Sequence, residues 1–191
     1  MLKVIGVAEL QYEILGASGY TLSLAWNHKY PAYGPIWRTG NFHDALIEIG
    51  LSDTDHSVKD FDVVIVPKRC IVQAEIFDSV NLPVEIGIPI CEWTFDKPSP
   101  HCVDEALDFR MYIGENSLSI CIGGPCEITR VIVAKDVKFG MDADGYLRAV
   151  QVTAIQPSEM ANIRLAFPSG QRNTYRRRIS KLVKRWLRKF T

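Results

Sequence analysis

Apolar and polar positions alternate with a period of two over most of the chain, the pattern of half-buried strands. Tyr20, Leu22, Leu24 and Trp26 alternate with Thr21, Ser23 and Ala25, and Gly16-Ala17-Ser18-Gly19 offers a turn before them. The pattern predicts strands over 3–15 and 19–26 joined as a hairpin. Pro31, Gly34 and Pro35 then break regular structure, so 27–40 reads as an ordered loop. Phe42-His43-Asp44-Ala45-Leu46-Ile47-Glu48-Ile49 follows Thr39 and Asn41, either of which suits an N-cap, and precedes Gly50. That arrangement predicts a short internal helix over 42–49. Residues 53–60 are polar and loop-like. Two β-rich runs, 61–67 and 70–77, flank Pro67-Lys68-Arg69, and 84–95 alternates again, with Pro89 demanding an edge or a break. Asp96-Lys97-Pro98-Ser99-Pro100-His101 is the clearest internal punctuation.

From Asp108 the pattern is a meander. Strands are predicted over 109–113, 118–122, 128–134, 137–141 and 146–155, with turns at Gly114-Glu115-Asn116, Gly123-Gly124-Pro125 and Asp142-Ala143-Asp144-Gly145. Asp-Gly between two alternating runs is a strong short-range hairpin signal. The stretch Ser117-Leu118-Ser119-Ile120, Glu127-Ile128-Thr129-Arg130 and Val137 to Val152, centred on the Asp142-Ala143-Asp144-Gly145 hairpin, resembles the small bacterial modules of the domain of unknown function 2283 family. The resemblance covers about a quarter of the chain and implies a compact β-sheet unit and no chemistry. The chain departs from that pattern at Ala149 and Gln151, where the family often has a glycine and an acid.

Near the carboxyl end the period changes from two to 3.6. Over 175–190, Ile179, Leu182, Val183, Trp186, Leu187 and Phe190 recur at helical spacing and gather into one stripe, with every Lys and Arg off it. Asn173 or Thr174 suits a cap, and Pro168-Ser169-Gly170 separates the segment from what precedes it. The expected fold class is α+β: mainly antiparallel β-sheet, one short internal helix and a C-terminal basic amphipathic helix. The expected organisation is a β-rich unit over 1–168, with a possible subdivision near 96–107, and a tail over 169–191.

Charge sharpens this division. Of the 22 Lys and Arg, nine fall within 171–191, where there is no acid, leaving 13 basic against 22 acidic residues in 1–170. A neutral chain thus divides into a body near −9 and a tail of +9. A 16-residue helix is marginal in water alone, so its apolar stripe needs a surface. The candidates, in order, are the chain's own acidic body, an anionic membrane, a protein partner taken by the helix-in-groove mode, and nucleic acid. The residues expected to bind a partner or membrane are Arg176, Arg177, Arg178, Ile179, Lys181, Leu182, Val183, Lys184, Arg185, Trp186, Leu187, Arg188, Lys189 and Phe190.

Candidate chemistry adds little to this. Cys70, Cys91, Cys102, Cys121 and Cys126 contain no Cys-x-x-Cys pair. A zinc site from His101, Cys102, Cys121 and Cys126 is weighed below buried or incidental thiols. Cys102 beside His101 is the one adjacent nucleophile–base pair, but neighbours on an extended segment point in opposite directions. His28, His43 and His56 lack ligand spacing, and Asp53, Asp55, Asp60, Asp62, Asp104, Glu105 and Asp108 read as a solvated acidic face that could meet a basic partner. No calcium loop or phosphate-binding glycine loop is present. No metal, cofactor or catalytic residue is therefore assigned. No apolar run approaches the roughly 20 residues of a spanning helix. No export signal is read, so a cytoplasmic protein, with membrane association through the tail, is expected. The favoured reading is a non-enzymatic interaction or regulatory protein of immunity or inhibitor type. A peripheral membrane protein or a viral or phage structural assembly protein is the alternative, and a small hydrolase the next.

Overall fold

The computed structural model describes residues 1–10, 13–18, 21–26, 34–74, 82–93, 102–124 and 127–167. Two sheets dominate it. The first is built from β2 (Glu13–Ser18), β3 (Thr21–Trp26), β4 (Ile36–Gly40), β5 (Leu46–Leu51), β6 (Val58–Ile65) and β10 (Cys102–Glu105), in the order β10-β4-β5-β6-β3-β2. The second is built from β7 (Ile71–Val72), β8 (Val84–Ile86), β11 (Phe109–Ile113), β12 (Leu118–Ile122), β13 (Arg130–Ala134), β14 (Val137–Met141) and β15 (Leu147–Val152), in the order β7-β11-β12-β15-β14-β13-β8. Most ladders are antiparallel; β10 on β4, β7 on β11 and β8 on β13 are parallel.

Register decides which face is apolar, because side chains alternate between faces along each strand. In the six-stranded sheet Leu22, Val63, Ile47 and Thr39 form one inward row, and Leu24, Phe61, Ile49 and Trp37 the next. In the seven-stranded sheet the matching rows are Met111, Ile120, Val150, Phe139 and Ile132, then Ile113, Leu118, Val152, Val137 and Ala134. These residues are buried, and one hydrophobic cluster runs through both sheets. Trp26 and Phe139 meet across it edge to face, with ring centroids 5.3 Å apart and planes at 60°. Each fully buried Leu, Ile, Val or Phe stabilises the fold by about 1.5–3 kcal/mol before entropy is counted.

A ribbon of β1 (Val4–Ala8) and β9 (Ile88–Cys91) bridges the two sheets along one side. It joins the seven-stranded sheet where Lys3 pairs with Tyr146, and the six-stranded sheet where Ile90 pairs with Ser57. Pro89, which has no N–H to give, sits in this short ribbon opposite Val7. The helix α1 (Pro157–Ala166) carries proline at its first turn, and the Gln156 N–H donates to Glu159 Oε2 at 3.4 Å. Met160, Ile163 and the following Phe167 sink into the core, and Arg164 Nη2 donates to the Gly114 carbonyl at 2.9 Å.

The chain is β-rich with a helix, as expected, and β11, β12 and β14 fall on their predicted spans. The internal helix over 42–49 is not formed. Residues 46–51 are β5, held between β4 and β6, and Ile47, Ile49 and Leu51 are buried at a spacing of two. Asn41 does accept hydrogen bonds as a cap would, from the N–H groups of His43, Asp44 and Ala45, each at 3.0 Å. Here those bonds close a tight loop, with Asn41 N–H donating to the Ala45 carbonyl at 3.1 Å. The predicted loop over 27–40 ends earlier than expected, because 36–40 is β4; residues 27–33 lie outside the described residues. Gly16, Ala17 and Ser18 belong to strand β2 rather than to a turn, and β6 begins at Val58 within the stretch read as loop. Strand β10 and helix α1 have no counterpart in the expectations. The punctuation at 96–101 and the basic amphipathic tail lie outside the described residues.

Candidate functional site

The outer face of the six-stranded sheet carries a line of charge across four strands. Asp104 on β10 is in register with Arg38 on β4, Arg38 with Glu48 on β5, Glu48 with Asp62 on β6, and Asp62 with Ser23 on β3. One row away the order is Cys102, Ile36, Gly50, Asp60 and Ala25. Neighbouring strands stand about 4.8 Å apart, so these groups feel one another directly. Arg38 grips Asp104 with two hydrogen bonds, Nε to Oδ1 at 2.6 Å and Nη2 to Oδ2 at 2.9 Å. Asp60 lies over Gly50: a methyl group there would meet its Oδ1 at 2.2 Å, so the glycine seats the carboxylate against the sheet. Lys59 Nζ stands 3.8 Å from Asp60 Oδ2.

Among the described residues, four carboxylates thus share a face with one guanidinium, already engaged by Asp104, and with the Lys59 ammonium beside Asp60. Burial holds the Glu48 carboxyl above the usual range; Arg38 pulls it back, while Asp62, Asp60 and Asp104 push it further up. Asp62 is raised for the same first reason, with Ser23 donating a hydrogen bond that lowers it and Asp60 raising it. Both acids are therefore costly to ionise in the folded state, and an arriving cation would lower that cost. The sign of the pH dependence follows. Their contribution is most favourable below the unfolded carboxylate value of about 4.3 and is lost as pH rises through the folded values. Glu48→Gln should therefore be more stable than the wild type at pH 7 by about 0.2–1 kcal/mol, the scale of a cross-strand pair, and equal to it near pH 3.5. Urea unfolding at the two pH values measures this; a wild type more stable at pH 7 would contradict it.

Cys102 shares the face, and burial raises its thiol while Arg38 lowers it. A raised thiol beside an arginine already paired with Asp104 is poorly disposed to form a nucleophilic thiolate. Burial also raises Cys70, and pushes the fully buried Cys91 up to about 12. Cys121 lies on the outer face of the opposite sheet, in register with Ala149, so Cys102 and Cys121 cannot share a zinc ion. His101 and Cys126, the other members of that set, lie outside the described residues. Among the described residues no group of three or more His, Cys, Asp and Glu is arranged to hold a metal ion.

The acids noted in the sequence divide. Asp60, Asp62 and Asp104 come together on the face, whereas Glu105 turns inward and accepts from Trp37 Nε1 at 3.0 Å. Asp55 is spent locally, its Oδ1 accepting from the Ser57 N–H at 3.0 Å and hydroxyl at 2.8 Å. Glu48 and Arg38 were not singled out from the sequence, because one fell in the expected helix and the other in the expected loop. Asp44 is bound bidentately by Arg69, both contacts at 2.8 Å, and is held well below the usual carboxylate range by that pairing and by Asn41. The residues expected to bind a partner, 176–190, lie outside the described residues. No described helix is long and apolar enough to cross a membrane. No protein-family model matches this chain, and no curated protein matches it either.

Proposed function

We propose that this chain is a non-enzymatic interaction protein whose outer six-stranded sheet face receives a cationic segment of a protein partner. The observation that carries the reading is the excess of one sign of charge among the described residues of this face: Glu48, Asp60, Asp62 and Asp104 against Arg38, which is held by Asp104, and Lys59, which stands beside Asp60. A face of this kind steers a basic partner and repels acidic ones, so it works through specificity and association rate more than through buried area. Covering a basic surface on another protein is the mode of an immunity or inhibitor protein. The cationic residues 176–190 are proposed as a second contact element, available to a partner or to an anionic membrane.

The test is a titration of a fluorescein-labelled lysine-rich peptide, read by anisotropy. Binding is expected at low ionic strength and should weaken steeply as salt shortens the screening length to about 8 Å. Glu48→Gln combined with Asp62→Asn removes two charges without changing shape, and should weaken binding about tenfold, or 1.4 kcal/mol. Equal affinity for wild type and double variant would overturn the reading.

A further inference from the structure

We draw no further inference here: the strongest candidate, the three-residue edge strand β8 of the seven-stranded sheet with Val84 and Ile86 exposed beside β13, has nothing in the structure to show what covers it.

Discussion

Phe139→Ala is expected to lower the stability of this chain by about 3–5 kcal/mol, the range for deleting a buried phenylalanine ring. Phe139 is fully buried on an interior strand of the seven-stranded sheet, in register with Val150 on one side and Ile132 on the other. Its ring meets Trp26 of the opposite sheet edge to face at 5.3 Å, so the substitution removes both transfer energy and an aromatic contact between the layers. Rigid ladders on both sides limit collapse into the cavity. Against a total of about 5–15 kcal/mol for a domain, such a loss removes at least about a fifth of the stability. Urea unfolding followed by tryptophan fluorescence measures it. A cost under about 1.5 kcal/mol would mean that the two sheets do not pack face to face through this ring.

Gly40→Ala is expected to cost about 2–4 kcal/mol by a different route, with no cavity formed. Gly40 has φ of +133°, which an L side chain rarely adopts, and an added Cβ would lie 2.1 Å from the Ala45 carbonyl oxygen. Backbone strain of about 1–3 kcal/mol is joined by displacement of the loop that joins β4 to β5. Because Arg38 and Glu48 lie just either side of that loop, the same variant should also weaken binding of the lysine-rich peptide. An alanine variant as stable as the wild type would contradict the observed loop geometry.

The fold was most legible where neighbouring strands are also neighbours in sequence. From Phe109 to Val152 the alternation is clean, and the Asp142 turn is secured locally, its Oδ1 accepting from the N–H groups of Asp144 and Tyr146 at 3.1 and 2.9 Å. Residues 42–49 misled for a physical reason. One asparagine oxygen accepting several N–H groups is the chemistry of a helix cap and of a tight loop alike, and the difference lies in β4 and β6, which flank β5 in space. Helix α1 had a weaker signature, since only Met160, Ile163 and Phe167 mark its apolar side; Pro157 followed by Glu159 was the signal that could have located it.

The candidate site was only half legible for a related reason. Asp60, Asp62 and Asp104 were visible as acids, yet nothing local says that they share a surface with Glu48. Arg38 and Asp104 are 66 residues apart and meet only because β10 adds in parallel to β4. A charged face of this kind is a property of register, and register is set by the buried rows on the other side of the same strands. Opposition between an acidic body and a basic tail, by contrast, is a matter of composition and could be read directly.

Carbodiimide cross-linking of the full chain to the lysine-rich peptide at low salt, resolved by peptide mass spectrometry, tests the central claim most directly, because it joins an amine to a carboxylate only when the two are in contact. The expected products join lysines of the peptide to Asp60, Asp62, Asp104 or Glu48, and fade as salt is raised. Cross-links from the peptide that fall only on acids away from the six-stranded sheet, such as Glu127 or Asp144, would contradict it.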